Sequence, residues 1–374
     1  MCREGTGRSL SIVVIARNEE RTIEACIAAA LESTRAAFRE GLAVTGEVIL
    51  VDSASTDGTV SRASAYPITI LELPPNLPLS AAAGRQVGFE HARGDLLYFI
   101  DGDTVVEPEW LPIALRLLAE PRVAAVDGHV LDPVRGESVL AREIYRSELT
   151  ATRQGQIRES EAVCVGIYRR DAFDAAGGFH PFLRGAEDLD LGYRLKAKGW
   201  RLLRTPETLG RHYWSPAELD VSFIDYLRSV AGWSFGAGQA CRFWFSDPSI
   251  RAKYLRRYAT ARFVIEYLRG LSIATWILLH AAALWLPSSA IPALLVMDAG
   301  LLLTADAERR SKGQTWREWG FWLHGPLYSI VRHVAFLFGF MTRTPPPSAY
   351  PREARIFKTG TELQATLPGW TALG

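Results

Sequence analysis

The chain has 374 residues, 48% of them hydrophobic, enough for one large domain with an appendage or for two domains. A net charge of +1 argues against a general nucleic-acid binder. The four cysteines, Cys2, Cys26, Cys164 and Cys241, lie far apart without a CxxC pair, so neither a zinc site nor a disulfide framework is suggested and a reducing compartment fits.

The opening stretch, "MCREGTGRSL", is polar. The first apolar run, Ile12 to Ala16, is too short for a signal peptide or a membrane span, so the front of the chain is expected in the cytosol. "LSIVVIA" is a β-branched run that predicts a buried strand. "RNEERTIEACIAAALEST" follows with Ile23, Ile27 and Leu31 at helical spacing. "GEVILVD" is a second strand ending at Asp52, and "SASTDGTVSRASA" turns into a helix with Gly58 as punctuation. "ITILEL" is a third strand, "LSAAAGRQVGFEHA" a helix, and "GDLLYFIDGD" a fourth strand. This order implies an α/β, Rossmann-like, mostly parallel sheet with helices on both faces.

Such sheets bind ligands beyond the carboxyl ends of their strands. Polar residues gather at those ends: Arg17, Asn18 and Glu19 after the first strand, Asp52 and Ser53 after the second, Asp101 and Asp103 after the fourth. Two carboxylates separated only by Gly102 can aim at one point, the glycine letting the backbone turn. Unpaired, they repel; a divalent cation relieves the repulsion and bridges to phosphate oxygens. Solvated turns carry the same tripeptide by chance, so the motif alone leaves both readings open.

Four collinear blocks extend the argument. They are "SIVVIARNEERTIEACI", "VILVDSASTDGT", "AAAGRQVGFEHARGDLLYFIDGD" and "VGIYRRDAFDAAGGFHPFLRGAEDLDLGYRLKAKGWRL". Up to about residue 215 the chain resembles the family 2 glycosyltransferases, which have the GT-A fold. The resemblance implies that Ala16, Arg17, Glu19, Asp52, Ser53, Gly84, Arg85, Asp101 and Gly102 face a nucleotide-sugar donor, with Asp52 on the nucleobase. It implies Mg²⁺ or Mn²⁺ at Asp103 and Asp101. It also implies Asp188 as the base for the acceptor hydroxyl, with Gly166 and Glu187 on the acceptor side. Crowding by Glu187 and Asp190 is a physical reason for Asp188 to act as a base; acidic residues at a helix start also simply favour the dipole. Arg85 sits either over the nucleotide or on a solvated helix face. His212, in "GRHYW", is either a further metal or leaving-group contact or a structural histidine. Gln86 departs from the asparagine common in the family, and Cys164 and Val165 from smaller residues.

The implied reaction is a single inverting displacement through an oxocarbenium-like state. A processive polysaccharide synthase is one alternative. A sugar-phosphate nucleotidyltransferase is another; it calls for a glycine-rich, lysine-bearing phosphate loop, which "ARNEERT" is not. A catalytically dead scaffold sits poorly with Asp101, Asp103 and Asp188 all present.

Past residue 215 the composition changes. An apolar stretch from about Gly270 to Leu286 and a second over 289–305 predict a membrane hairpin across a Pro-Ser-Ser turn. A third, 319–341, carries His324, Arg332 and His333 and is expected to be re-entrant or interfacial; the alternative is a third full span, which would place the basic tail outside. Basic segments before the first, after the second and in the tail place all three in the cytoplasm. Within 223–245, Gln239, Arg242 and Phe243 echo the Q-x-x-R-W motif of processive synthases. Trp233, Phe243 and Trp244 are expected at headgroup level, with Arg242 near an acceptor phosphate. The expected organisation is a GT-A domain over 1–215, amphipathic interfacial helices over 216–262, a membrane region over 263–345 and a cytoplasmic tail over 346–374. The expected location is the inner (cytoplasmic) membrane with the catalytic domain facing the cytoplasm. The expected acceptor is a lipid or lipid-linked saccharide, as in the exopolysaccharide-type transferases that the membrane region resembles.

Overall fold

The computed structural model describes residues 8–131, 155–213, 223–252 and 325–365. The chain divides into two compact units, Met1–Val221 with Thr342–Gly374, and Ser222–Met341.

In the first unit the early strands and helices follow the expected order. They are β1 (Ser9–Ala16), α1 (Ile23–Arg39), β2 (Thr45–Asp52), α2 (Thr59–Ala63), β3 (Thr69–Glu72), α3 (Ala81–His91) and β4 (Leu96–Asp101). β1 lies between β2 and β4, all parallel, and β3 lies beyond β2. Alternation along each strand sends side chains to two cores, one on either face. Leu10, Ile12, Val14, Tyr98 and Ile100 meet α1 residues Ile23 and Ile27 on one face. Val13, Leu97 and Phe99 meet α3 residues Ala83 and Val87 on the other. That two-faced burial explains why these strands are continuous apolar runs.

The later elements are β5 (Thr104–Val106), α4 (Trp110–Leu117), β6 (Val123–Leu131), β7 (Arg158–Glu159), β8 (Gly166–Arg169), α5 (Arg170–Ala176), α6 (Glu187–Ala197) and β9 (Arg201–His212). Here the expectation of a mostly parallel sheet is corrected: the sheet is mixed. β8 runs antiparallel to both β4 and β6, β9 runs parallel to β6, and β5 runs antiparallel to β9. The order is β10-β3-β2-β1-β4-β8-β6-β9-β5. The reversal begins at β8, a strand too short for its alternation to show in the sequence.

The segment read as a tail is part of this sheet. β10 (Arg355–Lys358) pairs antiparallel with β3, and β11 (Leu363–Gln364) pairs antiparallel with the start of β2. Lys358 Nζ donates to the carbonyls of Ser64 and Tyr66 at 2.6 and 2.5 Å. Tyr350 is buried, donates to the Pro78 carbonyl at 3.1 Å and packs its ring on Phe182.

The second unit is described through α7 (Phe223–Ser246) and α8 (Gly325–Met341). They cross at Gly238 and Gly339. A Cβ at Gly238 would lie 2.1 Å from the Phe336 carbonyl oxygen, and one at Gly339 2.0 Å from that of Phe235. Arg242 donates to the carbonyls of Phe340 and Met341 at 3.1 and 3.2 Å, closing the C-terminus of α8. Among the described residues no helix is long and apolar enough to cross a membrane. The two stretches predicted to form the hairpin, Gly270–Leu286 and 289–305, lie outside the described residues.

Candidate active site

The carboxyl ends of β2, β1 and β4 lie side by side, with Ala16 opposite Asp52 and Ile15 opposite Asp101. Ser53 N–H donates to the Ala16 carbonyl at 2.9 Å and Gly102 N–H to the Ile15 carbonyl at 2.8 Å, so both neighbours stay paired to the end of β1. Gly102 is not in the left-handed region. What requires a glycine there is close approach, since an added Cβ would sit 2.8 Å from Ala16 Cβ. This corrects the expectation of a special turn.

Among the described residues, the non-glycine residues with positive φ are Asn18, Ala54 and Ala186, at 61°, 57° and 60°. The first two follow β1 and β2, and the third precedes α6. Left-handed backbone costs about 1–2 kcal/mol per residue for L-amino acids and persists where surrounding contacts hold it. All three lie on loops that carry site residues.

Asp52 is 2% exposed. Its Oδ2 accepts from Ser55 N–H at 2.9 Å, while Oδ1 is buried with no hydrogen-bond partner among the described residues. Burial raises its pKa above the usual carboxylate range, partly countered by the Ser55 hydrogen bonds. Around it, Arg17 is exposed and Glu19 and Ser53 are half-buried. Ala16 and Gly84 are buried, and Gly84 lets α3 approach Ile15 and Ser53.

The two carboxylates of the DGD stretch have separate partners. Asp103 Oδ2 lies 2.8 Å from His212 Nε2, the two brought together because Thr104 of β5 pairs with His212 at the end of β9. The Asp103 carbonyl accepts from Tyr213 N–H at 2.8 Å. Asp101 Oδ1 instead accepts from Arg85 Nη2 at 2.6 Å. Arg85 Nη1 donates to Glu187 Oε1, also at 2.6 Å. The Arg85 side chain is 2% exposed, so it is neither a solvated helix residue nor open over a nucleotide. Burial pushes the Asp101 and Glu187 carboxyls upward, and the Arg85 guanidinium pulls both back.

Asp188 is half-buried in the first turn of α6 and accepts from Leu189 N–H at 2.8 Å. The crowding inferred from sequence is relieved on both sides. Glu187 is tied to Arg85, and Asp190 takes Arg194 at 2.6 and 3.0 Å. Gly166 is buried in β8, where an added Cβ would lie 2.6 Å from the Val126 carbonyl oxygen, so packing alone demands it.

Gln239, Arg242 and Trp233 lie on α7 in the second unit. Gln239 is buried, Arg242 closes α8 as described, and Trp233 is 51% exposed. Trp244 is buried rather than at an exposed headgroup level, and Phe245 is the exposed neighbour.

Two features escaped the sequence reading. Cys164 Sγ accepts from Arg85 Nη2 at 3.4 Å. Asp127, 2% exposed on β6, is held by Arg204 Nε and Nη2 at 3.0 and 2.5 Å. Burial pushes the Asp127 carboxyl up to about 6 against that pair, and the nearby Asp188 charge adds to the rise. A carboxylate inside "VAAVDGHV" is the signal that could have found it, because a buried charge in a strand demands a partner.

The family model described as glycosyl transferase family 2 matches residues 11–176, and that of glycosyl transferase family group 2 matches residues 96–289, slightly more than half the chain. The pre-mycofactocin glycosyltransferase of Mycobacterium tuberculosis is 30% identical over 138 residues, 35% of this chain and 29% of that protein. The O-antigen chain rhamnosyltransferase WbaN of Salmonella anatum is 26% identical over 189 residues, 47% of this chain and 59% of that protein. The chain thus spans from under a third to well over half the length of these relatives. Among solved structures, the mannosyltransferase PcManGT from Pyrobaculum calidifontis, in complex with GDP-Man and Mn²⁺, superposes with a TM-score of 0.59 at 21% identity. The match covers 90% of this chain and 88% of that one, and shows a shared fold.

Proposed function

The chain belongs to the family 2 glycosyltransferases, and on that premise we propose that it moves a sugar, with inversion, from a UDP- or GDP-sugar to a lipid or lipid-linked acceptor. The observation that carries this reading is the assembly of Asp52, Asp101, Asp103 and the start of α6 at one edge of the sheet.

Each residue then has a chemical role. The buried, unpartnered Oδ1 of Asp52 accepts an N–H from the uracil or guanine edge; leaving it unsatisfied would cost roughly 1–3 kcal/mol. Asp188 accepts the proton of the acceptor hydroxyl as that oxygen attacks the anomeric carbon and the C–O bond to the diphosphate breaks. Among the described residues no group of three or more His, Cys, Asp or Glu side chains is arranged to hold a metal. The Asp103–His212 pair is the part that would hold Mg²⁺ or Mn²⁺, with phosphate oxygens and water supplying the rest of the shell. A cation held there would neutralise charge developing on the leaving diphosphate.

Membrane contact is the second part of the proposal. Val334, Leu337, Phe338 and Met341 form an exposed apolar stripe at i, i+3, i+4 and i+7 on α8, which suits a helix lying in a bilayer interface. The pairing of β10 and β11 with β3 and β2 supports residues 355–364 on the catalytic side. A segment that leaves one sheet and returns to it crosses a membrane an even number of times or not at all. The basic segments flanking the apolar stretches support a catalytic unit facing the cytoplasm at the inner membrane.

The test is donor turnover by the full chain with UDP-glucose, UDP-N-acetylglucosamine and GDP-mannose, with Mn²⁺ and a membrane lipid extract. One sugar per acceptor with inverted configuration is expected. A product ladder would favour a processive synthase, and turnover of none of the three would count against the reading.

A further inference from the structure

Arg85 joins three pieces of chain that are distant in sequence. One nitrogen holds Asp101 at the end of β4 and touches Cys164 before β8; the other holds Glu187 at the start of α6. The Phe179 ring lies 5.8 Å from its Cζ. The base of this fork is rigid, because Gly84 and Gly88 bring α3 close against Ile15 and Val13 of β1.

One cation facing a buried carboxylate, Glu187, and a half-buried one, Asp101, leaves a net negative charge. Such an arrangement is a poor way to gain stability, since apolar packing of equal volume does as well or better. Its position suggests another use. Asp101 Oδ1 is taken by Arg85, which leaves its other oxygen as the one available to a donor. Glu187 is the residue before Asp188, and its anchoring pins the first turn of α6, which the chain enters through the strained Ala186.

We propose that Arg85 is a positioning residue that sets the spacing between the donor-side carboxylate Asp101 and the acceptor base Asp188, with Glu187 as its second arm. Neither Arg85 nor Glu187 then touches a ligand. The inference rests on the transferase reading above. Only a planar guanidinium offers two separate donors in a fixed fork; an ammonium at the same place is a point charge and cannot hold both carboxylates in that geometry.

Steady-state kinetics of the full chain test this, using whichever of UDP-glucose, UDP-N-acetylglucosamine and GDP-mannose the wild type turns over. Glu187→Gln is expected to lower kcat about 10- to 100-fold, the scale of a misplacement near 1 Å, with donor KM little changed. Arg85→Lys is expected to keep the Asp101 arm and to show the same loss. The double variant Arg85→Lys/Glu187→Gln is expected to be no worse than either single one, since both break one link. Multiplicative losses, or a raised donor KM with kcat intact, would overturn the proposal. If Arg85→Lys does not fold, Glu187→Gln decides alone by the same split. A wild type that turns over none of the donors overturns the transferase reading and this inference together; an active wild type with an unimpaired Glu187→Gln overturns the inference only.

Discussion

The two units bury their apolar side chains in opposite ways. In the first, Phe99, Tyr168, Phe173 and Phe179 interlock with ring centroids 5.3–6.3 Å apart, and every one is inaccessible to water. In the second, α7 and α8 meet through glycines, while Trp233, Phe338 and Met341 stay 51%, 59% and 61% exposed. A sheet covered on both faces completes its own core. A helix pair closed by backbone contact has small residues at its seam, so several of its large apolar side chains are left for the outside, although Trp244 is buried. Under the proposed function the first unit accordingly carries the chemistry and the second the membrane attachment.

Four experiments break or sharpen that contrast. The largest effect is expected at Asp188. Asp188→Asn should cut turnover about 100-fold or more while donor binding and the melting transition are retained, as calorimetry and nucleotide titration would show. If the loss appears only as weaker nucleotide binding, Asp188 is not the base.

Next is the C-terminal strap, which belongs to the first unit although it follows the second in sequence. Tyr350→Ala should destabilise that unit by about 3–5 kcal/mol, as for other buried aromatic truncations. Tyr350→Phe removes only the hydroxyl and should cost about 1 kcal/mol. Equal, negligible effects in urea melts would mean that the strap adds nothing.

The helix seam should respond to a single methyl. Gly238→Ala is expected to cost about 1–3 kcal/mol of overpacking within the second unit. Binding to vesicles of mixed neutral and acidic phospholipid should fall in a flotation assay, with the melting of the first unit unchanged. Undiminished flotation would detach the helix pair from membrane binding.

The smallest effect is a slope. Burial raises the Asp127 carboxyl to about 6, above its unfolded value, so the folded state holds this proton more tightly than the unfolded one. Stability from this group is present at low pH and is lost as pH rises from about 4 through 6, at no more than about 1.4 kcal/mol per pH unit for one proton. Asp127→Asn should remove that part of the pH dependence in denaturant titrations. An unchanged profile would show that Arg204 keeps the carboxylate ionised in the fold.

Periodicity alone determined β1 to β4 and the helices between them, because strands buried on both faces must be apolar throughout and the intervening helices must carry one apolar face. It also placed Asp52, Asp101 and Asp103 at strand ends, since parallel strands present their carboxyl ends on one edge. What it could not supply was partnership. His212 reaches Asp103 only because β5 and β9 pair, and Arg85 reaches Glu187 only because α3 and α6 pack on the same face of the sheet. The antiparallel entry of β8 and the return of β10 and β11 to the opposite edge depend on backbone pairing across long stretches of chain, and strands of two to four residues leave too short a pattern to announce it. The sequence thus determined which residues carry charge at the edge of the sheet. Tertiary structure decided which of those charges are neutralised by one another and which remain free to act, because desolvation and hydrogen bonding are properties of neighbours in space.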